Sequence, residues 1–146
     1  MKRLQRLVQA TEYFNEVRLE GATCSIVVDQ DNAISVLANA SGDQLLISLP
    51  EESESGRTTD DWSGRLSVAM FAIAKINGPA RTPELARATY ARLLTLAQAA
   101  VAKLSDDMTA GGCRMLAGIS LTGLNVVPEY SIFGGWSGYS IELTLD

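Results

Sequence analysis

The sequence predicts an α+β fold in a single domain, residues 1–146. A helical period of apolar residues runs through about residues 83–107, and at least five shorter segments alternate apolar with polar residues, as β-strands do. Short polar turns join most of these segments, so the sheet is expected to be mostly antiparallel, with the long helix packed across it. A short N-terminal helix completes the predicted architecture. A chain of this length buries enough surface to form one hydrophobic core.

The long helix has both a start signal and a stop signal. Thr82 can cap the first turn, Pro83 suits the first helical position, and Glu84 faces the positive end of the helix dipole. Gly111-Gly112 ends the pattern. A helix of some 25 residues is about 37 Å long, which is enough to cross a small sheet. The stripe expected to face that sheet consists of Ala86, Tyr90, Leu93, Ala97, Ala100 and Leu104.

The first residues of the chain predict a short amphipathic helix over residues 2–15. Leu4, Leu7, Val8 and Phe14 can share one of its faces. Basic residues near its start lie at the unfavourable end of the helix dipole, so packing is expected to stabilise it. A membrane-surface or partner-binding helix is the alternative, because basic amphipathic helices bind such surfaces.

The segment after this helix predicts a three-stranded antiparallel meander. Alternation over 17–28, with a glycine in the middle, indicates a bent or bulged first strand. Residues 29–32 have the composition of a turn, and 34–36 begin a second strand. A second turn at 41–43 leads into a third strand over 45–49.

An acidic segment, residues 51–61, follows the meander. It contains no apolar residue and carries five acidic residues against one arginine. Such composition is typical of a solvated, weakly ordered loop. It also fits an acidic loop that faces a partner or lines a channel. A third interpretation is a metal site formed by Glu51, Glu52, Glu54, Asp60 and Asp61, although their spacing matches no calcium-binding loop.

The remaining alternating segments predict the rest of the sheet. Residues 62–76 become apolar on both faces, which favours a long central strand. After the long helix, a strand from Met115 to Leu121 is expected to turn at Thr122-Gly123 and to return over 125–130, where a proline indicates a sheet edge or a bulge. Residues 139–145 show the clearest alternation in the chain and predict a C-terminal strand.

Composition disfavours several functional classes. The formal net charge is −5, whereas general nucleic-acid binding requires clustered Lys and Arg, so no specific nucleic-acid binding is expected. The N-terminus lacks the uninterrupted apolar run of a secretory signal, and no segment is long enough to span a membrane. These features predict a protein that is not secreted and does not enter a membrane. It is expected to remain in the cytoplasm of its cell, or to be released by a route other than secretion.

The chain also lacks the residues that most often perform catalysis or bind metals. It has no histidine, which removes the commonest general base and metal ligand. Phosphate-cradling, dinucleotide-binding, zinc-binding and nucleophile-elbow motifs are missing. Cys24 and Cys113 fit two small buried side chains, or else a disulfide. We therefore expect no enzyme activity, no catalytic residues, no cofactor and no bound metal.

The most distinctive local string joins glycines to aromatic residues just before the terminal strand. Phe133, Trp136 and Tyr139 stand among three glycines. They fit a tight loop packed on the sheet edge, a protein contact or a small-molecule site. Aromatic enrichment favours the contact over the ligand. Ile141 and Leu143 belong to the terminal strand, which could pair with a neighbouring chain if it lay at an edge.

The order of elements and the C-terminal pattern G-W-x-G-Y-x-I-x-L-x-L resemble the tail-terminator and tail-completion proteins of tailed phages and prophages. The resemblance covers most of the chain but concerns architecture and this one pattern. It implies an α+β structural subunit that forms, or docks onto, a ring at the tail tube or the head–tail junction. The implied partners are copies of itself, the tail-tube protein, or both, and the implied location includes a virion-like particle.

The competing hypothesis is a small ligand-binding or enzymatic α+β domain. A deep pocket with convergent polar groups would favour it. The acidic segment fits the structural hypothesis better, because acidic side chains in a ring lumen would repel passing DNA.

Overall fold

The computed structural model describes residues 2–55, 63–76, 82–109, 116 and 118–146. Three helices and six strands occur in these residues, and they form the predicted α+β fold. In chain order, the elements are α1 (Lys2–Glu16), β1 (Thr23–Val27), α2 (Gln30–Leu37), β2 (Gln44–Ser48), β3 (Glu51–Ser55), β4 (Ser63–Lys75), α3 (Pro83–Met108), β5 (Leu121–Ile132) and β6 (Trp136–Leu145).

One mixed sheet contains all six strands. The order across it is β1-β2-β4-β6-β5, and β3 also pairs with β4. Only β1 and β2 are parallel, and every other pair is antiparallel. β4 and β6 form the longest ladder, from Leu66 opposite Leu145 to Lys75 opposite Trp136. The sheet is therefore mostly antiparallel, as predicted, with β4 and β6 at its centre.

The long helix α3 lies where the sequence places it. The Thr82 hydroxyl accepts a hydrogen bond of 3.2 Å from the Leu85 N–H, which confirms the N-cap. Of the predicted stripe, Leu93, Ala97, Ala100 and Leu104 are buried, while Ala86 and Tyr90 are half-buried. The Arg92 guanidinium binds both carboxylate oxygens of Asp43 at 2.8 Å and so joins α3 to the turn before β2. This hydrogen bond raises the pKa of Arg92 above its ordinary value.

Two hydrophobic clusters pack on opposite faces of the sheet. The larger one lies beneath α1 and α3 and includes Leu45, Met70, Leu93 and Ile141. The smaller one lies beneath α2 and consists of Val27, Ala33, Leu37, Leu46, Ile73 and Trp136. Because α2 has only eight residues, it covers one end of its face. The rest of that face has no helix over it among the described residues.

The predicted meander is wrong in its first two strands. Residues 17–22 are not in a strand, so β1 begins only at Thr23. Residues 30–37 form α2 because the Asp29 carboxylate accepts a hydrogen bond from the Asn32 N–H and caps a helix. Ala33 and Leu37, four residues apart, are buried against the sheet. Ile34 and Val36, whose alternation suggested a strand, are exposed on this helix, with 41% and 37% of their surface accessible. A helix between two strands allows β1 and β2 to run parallel.

The structure also corrects the acidic segment. Its first part is strand β3, in which Glu51 pairs with Ser67 and Ser55 pairs with Ser63. Adjacent residues of a strand point to opposite faces, so Glu51 and Glu52 do not converge on one metal ion. Among the described residues, no group of three potential ligands could hold a metal. Residues 56–61 lie outside the described residues.

The C-terminal third differs from its prediction in two respects. Leu116 and residues 118–120, within the strand predicted from Met115 to Leu121, are not part of a strand. Thr122-Gly123 is not a turn, since β5 is a single strand from Leu121 to Ile132. Register shifts between Leu121 and Gly123, and between Glu129 and Ile132, absorb the extra residues as bulges. Pro128 lies on the sheet edge, as expected. Met115, where the predicted strand begins, lies outside the described residues.

We expect Leu93→Ala to lower the free energy of unfolding by about 2–5 kcal/mol, the usual cost of removing a buried leucine side chain. Leu93 is fully buried between α3 and the sheet. Urea unfolding measures this change, with Leu94→Ala as the matched control, because Leu94 is 45% accessible on the same helix. An equal effect of the two variants would contradict the orientation of α3.

Candidate protein-interaction surface

The predicted contact residues are divided between the core and the surface. Trp136, Ile141 and Leu143 are at most 2% accessible. Trp136 packs in the cluster beneath α2, and the other two pack beneath α3. These three side chains are therefore unavailable to a partner in the folded subunit. The prediction of a protein contact applies only to the half-buried Phe133 and Tyr139.

Both half-buried aromatic side chains have partners within the chain. Phe133 packs edge-on against Phe71, with 5.0 Å between ring centroids. Tyr139 packs edge-on against Tyr90 of α3 at 5.7 Å. The Tyr90 hydroxyl donates a 2.6 Å hydrogen bond to the Glu129 carbonyl oxygen of β5. Tyr139 and Tyr90 thus help to hold α3 above the outer two strands of the sheet.

The expectation of an exposed C-terminal strand is wrong. β6 lies between β4 and β5 and pairs with both along its length. The alternation from residue 139 to 145 is confirmed, because Ile141, Leu143 and Leu145 are buried beneath α3 while Glu142 is exposed on the other face. β5 has an outer side without a partner strand in the described sheet, as does β1 at the opposite edge.

β5 is an unusual edge strand because it is long and carries no charge over most of its length. Leu121–Pro128 contains no charged residue. Leu124, Val126 and Val127 are 51%, 37% and 40% accessible. Edge strands of soluble monomers are commonly shielded by charged side chains, prolines or bulges. β5 has Pro128 and two register shifts, but between the shifts its regular ladder runs from Gly123 to Glu129.

The neighbouring side of α3 has the same character. Leu93–Ala102 contains ten consecutive uncharged residues, although part of this segment faces solvent. Leu94 is 45% accessible, and Thr95, Gln98 and Ala102 are also exposed. An amphipathic helix of a free-standing protein normally carries charged residues on its solvent side. The middle of α3 departs from that pattern on the side towards β5.

An apolar groove of about 490 Å³ joins these two segments. We call the groove, together with the outer side of β5, the α3–β5 surface. None of the residues that line the groove is charged, and they are Leu94, Ala97, Gln98, Val101, Ala102, Ser105, Leu124 and Val126. Depletion of charge at an exposed apolar patch is typical of the centre of protein–protein interfaces.

Sequence reasoning did not identify this surface, although two signals were present. Leu94 lies off the predicted stripe of the long helix, within a run of residues without charge. Residues 124–128 are apolar at both strand faces except for Asn125. Each signal alone also fits a buried segment. Only the packing of α3 beside β5 brings the two segments into one exposed patch.

A second concave region lies on the opposite face of the sheet, beside α2. Its volume is about 550 Å³. Phe71, Phe133 and Ala69 line it, together with the acidic residues Asp29, Glu51 and Glu142. Asp29 already caps α2. This open sheet face mixes apolar and acidic groups, in contrast to the uncharged α3–β5 surface.

Two further expectations can be compared with the structure. Cys24 is half-buried and has a free thiol, while Cys113 lies outside the described residues. No helix among the described residues has the length and hydropathy required to cross a lipid bilayer. The chain matches no protein-family model and no curated protein.

Proposed function

We propose that the protein is a non-enzymatic structural subunit of a phage- or prophage-type tail or neck, where it forms or docks onto a ring. The observation that supports this proposal is the α3–β5 surface, in which an edge strand and an apolar groove lie side by side. A partner strand added to β5 would bond its outward backbone groups, and its side chains would enter the groove. A subunit that works through such contacts needs no catalytic chemistry.

The charge distribution also favours a protein partner at this surface. Leu93–Ala102 and Leu121–Pro128 carry no charge, whereas the chain as a whole has a formal net charge of −5. A nucleic acid would require basic side chains at the contact. A protein partner requires apolar complementarity, which Leu94, Leu124 and Val126 supply. The protein would act in the cytoplasm of the host cell or within a virion-like particle.

The test is co-assembly with the tail-tube protein of the same phage or prophage. We expect the mixture to form a complex of increased mass at concentrations on the order of tens of micromolar, where a specific interface is populated. Leu124→Lys should weaken assembly about tenfold or more, because it places an unpaired charge in the contact. Light scattering coupled to size-exclusion chromatography measures the mass.

Val8→Lys is the matched control, since Val8 is 56% accessible on α1 and lies away from the α3–β5 surface. It should assemble like the parent. A parent protein that forms no complex with the tail-tube protein at these concentrations would contradict the proposal. Equal effects of Leu124→Lys and Val8→Lys would show that the contact lies elsewhere.

A small ligand-binding or enzymatic domain is the second candidate function, and the concave region beside α2 favours it. Its volume of about 550 Å³ is within the range of small-molecule sites. Thermal-shift screening against metabolites tests this alternative, with Glu142→Gln as the site variant. A metabolite that raises the melting temperature of the parent but not of Glu142→Gln, or that is turned over, would favour the second candidate over the first.

A further inference from the structure

We infer that the partner at the α3–β5 surface is a second copy of this chain, paired antiparallel along β5 about a two-fold axis. This inference rests on the proposed function and narrows it: the subunit would dock onto the ring as a two-fold dimer, because a two-fold contact closes on itself and does not form a ring. A two-fold interface uses one patch on both copies, so the patch must be complementary to itself. The backbone, the side chains and the charge of β5 each satisfy that requirement.

The backbone determines which residues can pair. Pro128 has no N–H, and a proline on an edge strand directs its nitrogen to solvent. Residues two apart along a strand direct their backbone groups the same way, so Leu124 and Val126 share the outward direction of Pro128. Leu124 pairs with Val126 of the second copy, and Val126 pairs with Leu124 of the second copy. Each pair exchanges two backbone hydrogen bonds, so four bonds form in total. The two-fold axis then passes between Asn125 and Asn125 of the second copy.

The side chains of the outward residues complete the contact on the α3 face. Leu124 and Val126 line the groove beneath Leu94 and Val101. In the paired arrangement, the same two residues of the second copy lie one strand further out. They cover the open side of the groove, and the contact is reciprocal. Both grooves close through one set of apolar side chains.

The opposite face of β5 is also self-complementary. Asn125 is exposed and would lie directly opposite Asn125 of the second copy, at a non-hydrogen-bonded position where side chains approach most closely. Each amide can donate to the oxygen of the other. Gly123 would oppose Val127, so no like charges meet on this face.

The absence of charged residues at this surface favours a second copy over other protein partners. The residues that would be covered, Leu121–Pro128 and the groove lining, carry no charge. Any partner must present an equally uncharged strand, or it buries a charge without a counter-ion. A second copy meets this condition through the same segment. The nearest acidic residue of β5, Glu129, accepts a 3.0 Å hydrogen bond from the Ser140 hydroxyl and lies beyond the paired stretch.

Two substitutions at Asn125 test the axis directly. The parent should be a dimer at concentrations on the order of tens of micromolar. Asn125→Asp places two carboxylates face to face and should weaken the dimer about tenfold or more. Asn15→Asp is the control, because Asn15 is exposed on α1. It should leave the dimer intact. Sedimentation velocity over a dilution series measures both equilibria.

The second substitution is Asn125→Cys, in a chain with Cys24 and Cys113 replaced by serine. Opposed residues at a non-hydrogen-bonded position have Cα atoms within the range that a disulfide spans. We expect oxidation to link two copies covalently at micromolar protein. Asn15→Cys in the same background should remain unlinked. Non-reducing electrophoresis distinguishes the two results.

Three results would overturn the inference. They are a monomeric parent, a dimer that survives Asn125→Asp unchanged, and failure of Asn125→Cys to cross-link. If the monomeric parent nevertheless binds the tail-tube protein and Leu124→Lys abolishes that binding, the proposed function stands and the tube occupies the surface. If the dimer forms as described but never binds the tube, the self-pairing stands and the tail assignment fails.

Discussion

Trp136→Ala should lower the free energy of unfolding by about 3–5 kcal/mol, among the largest effects of any single substitution in this chain. Trp136 is 2% accessible and lies in the cluster beneath α2, with Val27, Leu46 and Ile73. α2 is only eight residues long, and its two buried residues, Ala33 and Leu37, both pack in this cluster. Removing the indole therefore leaves a cavity that few neighbouring side chains can fill.

Urea unfolding measures the change. It is monitored by far-ultraviolet circular dichroism, because this backbone signal does not require the tryptophan. Val8→Ala is the control, since Val8 is exposed and its truncation should cost no more than about 0.5 kcal/mol. A stable Trp136→Ala protein with impaired assembly would instead restore this residue as a partner contact. Loss of stability alone places it in the core.

Gly138→Ala should destabilise the protein by about 3 kcal/mol or more, because overpacking against rigid backbone adds to the cost of an unfavourable φ. A Cβ at this position would overlap the carbonyl oxygen of Ala72 and lie 3.0 Å from the Cα of Ile73. Gly138 has a φ of 155° and pairs with Ile73 in the central ladder. Neither strand can retreat without breaking that ladder.

Gly42→Ala separates the two contributions to this cost. Gly42 has a φ of 78°, and a Cβ there meets no atom within 4 Å. It should cost about 1–2 kcal/mol, from the left-handed backbone alone. Thermal or urea unfolding of both variants gives the difference. Equal losses would mean that β4 and β6 do not approach as closely at Gly138 as the structure indicates.

Much of the fold can be predicted from local sequence. The α3 stripe around Leu93 and the alternation of 139–145 are each repeated over several turns or residue pairs, so one misleading residue does not change the period. The cap at Thr82 acts within four residues of itself. The helix forms its backbone hydrogen bonds internally and the strand forms them with its neighbours, but in both the spacing of apolar residues marks the buried face.

The errors in secondary structure concern short or ambiguous segments. The apolar residues of 30–37 fit the period of a strand and that of a helix. The segment is a helix because Asp29 caps it and because Ala33 and Leu37 are buried on one side. Glu51–Ser55 has the composition of a loop, yet it pairs with β4 because the backbone hydrogen bonds of an antiparallel ladder do not depend on side-chain polarity.

The class of fold, the helix α3 and the apolar face of β6 are predictable from the sequence, because each follows from periodicity and local capping. Which strand lies at the edge depends on the tertiary packing. Strand order depends on contacts between residues far apart in the chain, which no local pattern encodes. It placed β6 inside the sheet, buried Trp136, and left β5 beside α3 as the exposed apolar surface.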